Sequence, residues 1–257
     1  MGKKDAIEKR GSAAISKWEA ELEKEAADVA AKEQMPSGSF VSIRGGIMTI
    51  GGSPIKDNKV QVVIIDHVYE NAMYDGDYDA DNPQPPVCYA FGRDEAELKP
   101  HEKASEPQHD QCQGCEKNVF GSAEKGKGKA CKNTRRLALI SADNINPGSI
   151  KDGELVYLKL PVTSTKGWAM YVKSLFAHYK RPPYAVITEV AVVPDQKSQF
   201  KVTFERVDGI PANLGPAIMA RREKVKEEIM FPYGDPTPKE TKGGKGKKND
   251  KPKARKF

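Results

Sequence analysis

The sequence predicts a mainly β protein with flanking helices. Several short segments rich in β-branched residues are separated by turns containing Gly and Pro, which is the pattern of antiparallel strands. A single strongly apolar helix divides these segments into two groups, and roughly 60 residues within the first group lack a core-forming pattern of their own. An OB-like Greek-key barrel with one helix between its two halves and one long insertion accounts for this order.

The first two predicted strands cover residues 39–50 and 59–69. The second contains a nearly continuous β-branched run from Val60 to Ile65, which is typical of a buried central strand. The segment Gly51-Gly52-Ser53-Pro54 has the composition of the turn that connects them. These two strands are therefore expected to begin the barrel.

The remaining elements follow in the second part of the chain. Apolar alternation and turn residues predict strands at 86–91, 136–142, 154–160, 184–193 and 199–207. A broad apolar face predicts a helix near 165–179 with Ser164 as its N-cap, and a last helix is predicted from about Pro216 to Met230. The helix near 165–179 is the one that separates the two halves of the predicted barrel.

The two ends of the chain differ from the middle. Residues 12–34 are predicted to be helical, because Ile15, Trp18, Leu22, Ala26 and Val29 recur at steps of three and four. After Asp235 the chain is rich in Lys, Gly and Pro, which predicts disorder, and residues 237–257 carry a net charge of +7 against −1 for residues 1–236. We therefore expect an N-terminal arm at 1–36, a domain at 37–232 and a basic tail at 233–257.

All four cysteines fall within the long insertion, at about 86–134. They are Cys88, Cys112, Cys115 and Cys131, with the spacing C-x23-C-x2-C-x15-C. A C-x2-C pair brings two sulfurs to about 2.3 Å from one zinc ion, and Gly114 suits the tight turn this requires. Cys131 is the expected third ligand. The fourth is Cys88, His101 or His109, and the predicted zinc is structural because it would hold a segment that has no core.

Composition limits the cellular setting. The chain has 257 residues, a net charge of +6 and no run of about 18 apolar residues, so no membrane span is expected. No apolar segment resembling a secretory signal is present among the first 34 residues. Free thiols rather than disulfides are expected, and with them a cytoplasmic protein.

The charges around the cysteines favour binding to a polyanion. Residues 57–98 carry a net charge of −8, whereas residues 120–136 carry +5, so a basic strip lies beside an acidic one. Single-stranded nucleic acids are bound by basic grooves that also present aromatic rings, because each nucleotide has a phosphate and a base. The predicted contact residues are Tyr89, Phe91, Arg93, Lys117, Phe120, Lys125, Lys127, Lys129, Lys132, Arg135 and Arg136.

No catalytic motif is recognisable, so the sequence does not predict an enzyme. Two alternatives to a nucleic-acid-binding protein stay open. The first is an interaction protein that uses its zinc segment and N-terminal helix to bind a host transcription or replication protein. The second is a metal-dependent nuclease using carboxylates of Asp75, Asp77, Asp79 and Asp81.

Several segments carry a resemblance to a known group of proteins. Cys112-Gln113-Gly114-Cys115-Glu116-Lys117-Asn118-Val119-Phe120, Gly126-Lys127-Gly128-Lys129-Ala130-Cys131 and Gly167-Trp168-Ala169-Met170-Tyr171 resemble proteins from the replication and recombination modules of tailed bacteriophages. The architecture is similar to the zinc-containing single-stranded-DNA-binding proteins of T-even phages, whose metal is held by three cysteines and a histidine.

The resemblance implies a phage single-stranded-DNA-binding protein of low sequence specificity, with RNA and phage replication proteins as further partners. Cys112, Cys115 and Cys131 match ligand positions, while Cys88 departs from the histidine of that group. A second departure is the basic tail, since such proteins usually end in an acidic one.

Overall fold

The computed structural model describes residues 40–76 and 83–234, together with Trp18, Glu21, Leu22 and Glu25. These four N-terminal residues are helical; the rest of the predicted helix at 12–34 and the tail from residue 235 lie outside the described part. The fold is mainly β, with antiparallel sheets and short helices, as predicted. The prediction of a mainly β protein is therefore confirmed.

The strands form two sheets. A small sheet contains β1 (Val41–Arg44), β2 (Ile47–Ile50) and β3 (Ser53–Pro54) in that order. The larger sheet contains β4 (Lys59–Met73), β5 (Cys88–Gly92), β6 (Lys132–Ser141), β7 (Val156–Lys159), β8 (Val186–Asp195) and β9 (Gln199–Gly209). Its order is β7-β6-β4-β8-β9, and β5 also pairs with β4. The first four residues of β4 pair with β8 and its last five pair with β5.

Three helices complete the described elements: α1 (Pro147–Asp152), α2 (Thr165–Tyr179) and α3 (Gly215–Glu228). The bounds predicted for α2 are confirmed. Ser164 occupies the predicted N-cap position, but its side chain makes no hydrogen bond to the first turn. It is 2% exposed and its hydroxyl instead accepts the N–H of Val202 in β9 at 2.9 Å.

The prediction of one strand over 39–50 is wrong. Gly45 and Gly46 take φ values of +56° and +80°, in the left-handed region that glycine adopts without a Cβ clash. The segment therefore turns back on itself, and Ile43 pairs with Met48. The pattern of β-branched residues on either side of the turn hid the hairpin.

The chain divides into two compact units, which we call the first unit (Met1–His67 and Arg136–Ile229) and the second unit (Val68–Arg135 and Met230–Phe257). The first unit contains a core in which Trp168, Tyr171 and Leu175 of α2 are buried with β-strand residues. The Tyr171 hydroxyl lies 2.6 Å from Thr188 Oγ1, so both buried hydroxyls are paired.

Among its described residues, the second unit has small apolar clusters, of which two surround the site discussed below. In one, Ala72, Tyr89 and Ala104 are buried with Phe91 and Tyr233 against them. In the other, Ala90, Leu98 and Cys112 are buried with Tyr69. Clusters of this size bury little apolar surface, so an additional cross-link would add substantially to the stability of the second unit.

Candidate metal centre and nucleic-acid interface

The four cysteines line one cavity of about 20 Å³ in the second unit. Cys88 is the first residue of β5, Cys112 and Cys115 lie on the loop that follows, and Cys131 immediately precedes β6. All four are buried and reduced. A cavity of this size accommodates about one water-sized sphere, which is also the room that a single ion requires. The structure therefore brings together all four residues that the sequence analysis selected as ligands.

The segment Cys112–Cys115, which we call the knuckle, forms a tight turn. Gly114 takes a φ of +84°, as its residue type predicted. The Asn118 N–H donates to the Cys115 carbonyl at 2.9 Å, and the Asn118 side-chain amide donates to the Cys112 carbonyl at 3.0 Å. The turn is thus held by bonds to its own carbonyls, which leaves the thiols free to face the cavity.

Two further backbone bonds fix where the ligands enter and leave this turn. The Cys112 N–H donates to the Leu98 carbonyl at 2.9 Å, and the Cys131 N–H donates to the Lys117 carbonyl at 2.8 Å. The second bond joins the two ends of the loop between Cys115 and Cys131, which we call the basic loop. It brings Cys131 back beside the knuckle although 15 residues separate it from Cys115.

The thiols influence one another electrostatically. Burial first, and then the neighbouring Cys112, Cys88 and Cys115, raise the pKa of Cys131 to about 12, against a lowering by Lys129. Burial also raises the pKa of Cys88 and of Cys112. Four sulfurs in one buried place thus disfavour the thiolate unless a cation is present, and a bound metal ion reverses this by deprotonating the thiols it coordinates.

Asn71 supplies a polar group directed at this cluster. It is 2% exposed, and its side-chain carbonyl accepts the Asn133 amide at 2.7 Å, which fixes the orientation of the group. Its amide nitrogen has no oxygen or nitrogen partner, yet the side chain lies next to Cys112 and lowers the pKa of that thiol. A buried N–H without another acceptor is the outer-shell donor that a metal-bound thiolate uses.

The donor set and the geometry differ in how far they support a metal. Among the residues that the structure describes, no group of three or more His, Cys, Asp or Glu side chains is arranged to hold a metal ion as it stands. The four thiols nevertheless share one cavity. Four cysteine thiols are a donor set that zinc prefers. The described residues therefore supply the donor chemistry of a zinc site, although their side chains do not form a coordination sphere.

The structure distinguishes between the three candidates for a fourth ligand. Cys88 and His109 line the cavity, whereas His101 does not. His101 stacks on the Tyr89 ring at a centroid distance of 5.0 Å, and its Nδ1 accepts the Lys103 N–H. The Nδ1 of His109 accepts the Gln111 N–H at 3.1 Å, so His109 would have only Nε2 left for a metal. A set of four cysteines is the simpler one.

The loop between Cys115 and Cys131 carries the exposed part of the predicted nucleic-acid surface. Phe120 is 78% exposed and Val119 is 56% exposed. The Lys129 ammonium lies 5.3 Å from the centroid of the Phe120 ring, within cation–π range. Lys117, Lys125 and Lys127 of the loop are also exposed, as is Lys132 directly after it. The loop thus presents one aromatic ring among four lysines.

Internal hydrogen bonds give this loop a defined shape. The N–H groups of Gly121 and Ala123 both donate to the Gly128 carbonyl. The Ser122 hydroxyl accepts the Ala130 N–H at 3.0 Å and lies 2.6 Å from the Val119 carbonyl. Gly121 and Gly126 take φ values of +91° and +82°, where side chains with a Cβ are disfavoured. The basic loop is therefore anchored at both ends and is not a loose excursion.

The other predicted contact residues are placed differently. Tyr89 is 3% exposed within its aromatic cluster, and Phe91 is half-buried with its ring 6.1 Å from that of Tyr233. Arg136 is 1% exposed, belongs to the first unit and donates to the Ile229 carbonyl at 3.1 Å. We leave Tyr89 and Arg136 out of the proposed surface, because buried side chains cannot present a ring or a charge to a ligand. Arg93 is exposed.

Arg135 is half-buried in the second unit. Its guanidinium lies 3.5 Å from the centroid of the Tyr69 ring and 3.9 Å from Glu95, so it already has two partners. Sequence reasoning missed Asn71, Asn118 and Ser122, which hold the site together. Only Asn118 gave a local signal, through its position three residues after Cys115; the others act across the fold.

Comparison with known proteins adds no relative. No protein-family model, no curated protein and no solved structure matches the chain. Among the described helices, none has the length and apolar character needed to cross a bilayer.

Three of the four carboxylates named above for a nuclease, Asp77, Asp79 and Asp81, lie outside the described residues. The fourth, Asp75, is exposed.

Proposed function

We propose that this protein binds single-stranded DNA with little sequence specificity, in a phage replication or recombination system, and performs no chemistry. One observation carries the proposal: an exposed phenylalanine stands among lysines on a loop whose two ends are fixed by buried thiols. A phenylalanine that is 78% exposed buries little of its ring in the free protein, whereas a nucleic-acid base stacked on it removes one face of the ring and one face of the base from water.

We further propose that zinc is the cross-link. Cys88, Cys112, Cys115 and Cys131 would coordinate it, and Asn71 would donate to the Cys112 sulfur. When bound, the ion would supply structural stabilisation only, since four protein thiolates leave no coordination position for a substrate. The small clusters of the second unit support this role, because little other burial holds the loop in place.

The proposed architecture is an OB-type barrel. Numbered from β4 with β5 left out, the order of the large sheet is 3-2-1-4-5, and α2 falls between the third and fourth of these strands. A Greek-key barrel of this type that is open between its third and fifth strands has this order. Folds of this type bind single strands with the loop after the first strand, among others. Here that loop is the segment from residue 74 to residue 131, which contains the thiol cavity and the basic loop.

Electrostatics supports a non-specific ligand. The lysines of the loop can contact phosphates at any sequence, and the basic tail from residue 237 adds attraction that does not depend on sequence either. Asn and Gln side chains, which read base edges, are not prominent among the exposed loop residues. The expected binding is therefore strongly dependent on salt and only weakly dependent on base composition.

A titration tests the proposal. Fluorescence anisotropy of labelled oligo(dT) should show binding that weakens steeply between about 50 and 300 mM salt, as phosphate contacts require. An oligo(rU) series run in parallel tests RNA as the ligand. A competing duplex of the same length should bind more weakly, because its bases are not available for stacking. The absence of binding at the lowest salt would overturn the proposal.

The alternative of a protein partner has one observation in its favour. Val119 and Phe120 are adjacent and both exposed, and an apolar pair of this kind also fits a pocket on another protein. Affinity capture from a host lysate treated with nuclease distinguishes the two. A stoichiometric partner that is retained by the protein and lost with Phe120→Ala, in the absence of oligonucleotide binding, would favour this function.

A further inference from the structure

Helix α2 presents a second apolar surface that the proposed DNA contact does not use. Its inner face is buried in the first unit through Trp168, Tyr171 and Leu175. On the opposite face, Met170 is 63% exposed and Phe176 is 66% exposed. An amphipathic helix needs only one apolar face to pack on its own core, so the second one calls for another partner.

The exposed residues form a continuous stripe along the helix. We call it the outer stripe, and it comprises Lys166, Ala169, Met170, Lys173, Phe176, Ala177 and Lys180. These positions follow one another at steps of three and four, which places them on one side of a helix. The three lysines recur every seven residues and so run along the middle of the stripe, with Met170 on one side of them and Phe176 on the other. The ammonium of Lys180 lies 4.4 Å from the centroid of the Phe176 ring.

The helix that carries the outer stripe is positively charged. Between Glu154 and Glu189 the chain contains five bases and no acid. The Arg206 guanidinium, from β9, lies 4.3 Å from the Tyr179 ring, and its charge is offset by Asp208 at 3.8 Å. A partner of this surface must therefore combine an apolar stripe with negative charge. An acidic amphipathic helix has both properties.

The chain itself contains such a segment. Residues 12–34 hold six acids against three bases, and their apolar residues recur at helical spacing. Within them Trp18, Glu21, Leu22 and Glu25 are helical, with Trp18 61% exposed and Leu22 44% exposed. Trp18 and Leu22 are four residues apart and so lie on one side of the helix. Glu21 and Glu25 lie beside Trp18 and Leu22 on the helix, so a copy that packs Trp18 on Phe176 can present these acids to the neighbouring row of lysines.

We infer that the outer stripe of α2 binds the segment 12–34 of a second copy of this chain. A second copy is the appropriate source, because in the single chain both the outer stripe and the apolar residues Trp18 and Leu22 are exposed. Docking buries Trp18 and Phe176 together, and these aromatic side chains are expected to dominate the interface. The inference is independent of the DNA-binding proposal, since it uses residues of the first unit only.

Sedimentation velocity of the full chain over about 1–100 µM, without nucleic acid, tests this inference. The wild type should shift to larger species as its concentration rises, and to smaller ones as salt is added. Phe176→Glu and Trp18→Glu should each weaken association by at least about tenfold, as expected for an interface hot spot. Met219→Glu is the matched control: it alters an exposed methionine on α3 and should change nothing.

Tryptophan fluorescence provides an independent readout. The chain has two tryptophans, and Trp168 is 3% exposed, so a change in quenching by iodide on association reports Trp18. Quenching should fall as the wild type associates and should stay constant in Phe176→Glu. A wild type that stays monomeric overturns the inference. Association that survives Trp18→Glu, or that Met219→Glu weakens equally, overturns it as well.

Discussion

Phe120 is the residue on which the proposed contact with DNA depends most. Its ring is more exposed than that of any other large apolar residue described, and Lys129 lies over it. A base that stacks on the ring would have its phosphate within reach of the neighbouring lysines, so one residue can engage both parts of a nucleotide. Val119 beside it is branched and offers no flat face for stacking.

We expect Phe120→Ala to weaken binding to oligo(dT) by about 1–3 kcal/mol, which is roughly a 5- to 150-fold loss of affinity. The reason is the loss of one stacked base without any change in charge. Anisotropy at nanomolar protein concentration measures it. Phe176→Ala removes an equally exposed phenylalanine from α2 and serves as the control. Equal affinities for the two variants would show that the loop does not stack on bases.

Single residues also show how far sequence reasoning reaches. Gly114 was predicted to take a left-handed conformation, and its φ of +84° confirms this because the requirement is local. Ser164 holds the predicted N-cap position of α2, but its hydroxyl bonds to the N–H of Val202, 38 residues away, and not to the first turn of the helix. Tyr89 was predicted to contact nucleic acid because it is aromatic and lies beside Cys88, but its ring is buried against Tyr233 and His101. Roles that depend on distant partners are not encoded in the residues nearby.

At the scale of elements, the basic loop begins and ends at residues that line the thiol cavity. The Cys131 N–H bonds to the Lys117 carbonyl, so the two ends of the loop are joined beside the knuckle. Between these ends, Lys125 and Lys127 stand on a tight turn with Gly126 between them. Their ammonium groups are exposed, which is the arrangement expected of phosphate contacts.

We expect Lys125→Gln combined with Lys127→Gln to lower the salt dependence of binding. Each phosphate contact to a single strand contributes about 0.7 to the slope of log Kobs against log salt, so the double variant should lose about 1.4. Titrations at several salt concentrations measure the slope. The pair Lys224→Gln and Lys226→Gln on α3 removes the same charge elsewhere and should leave most of the slope unchanged. A reduction of the same size in both variants would point to bulk charge instead of contacts.

Removal of the metal should affect one set of elements and spare another. After zinc is withdrawn by a strong chelator, the segment from Cys112 to Cys131 should lose its hydrogen-exchange protection, because its backbone bonds depend on the cross-linked thiols. Strands β8 and β9 pair through a long antiparallel ladder around a large apolar core and should keep theirs. Adding zinc back should restore the first segment. Unchanged exchange throughout would contradict a structural role for the metal.

At the scale of the whole molecule, the pattern of the sequence predicted the class and most of the strands. The β-branched run from Val60 to Ile65 became the centre of β4, and the strong periodicity of α2 fixed both of its ends. The hairpin at Gly45 and Gly46 was missed because similar apolar residues continue on both sides of it. The closeness of the four cysteines could be proposed from their spacing, but the cavity that they share depends on pairing between β4 and β5.

The division into two units gives the account its physical basis. The first unit has a large apolar core, whereas the second has two small clusters and a cavity lined by thiols. A region with so little burial gains most from a cross-link that replaces the missing core, and metal coordination is one that its cysteines could supply. If zinc is that cross-link, as we propose, the shape of the basic loop depends on the four sulfurs.

Native mass spectrometry of the purified chain, with and without oligo(dT), tests this dependence most directly. We expect one zinc ion per chain and a complex with the oligonucleotide that retains the metal. Cys131→Ser should lose both the zinc and the complex, while the first unit stays folded. A wild-type protein that is free of metal, fully folded and still bound to oligo(dT) would contradict the account.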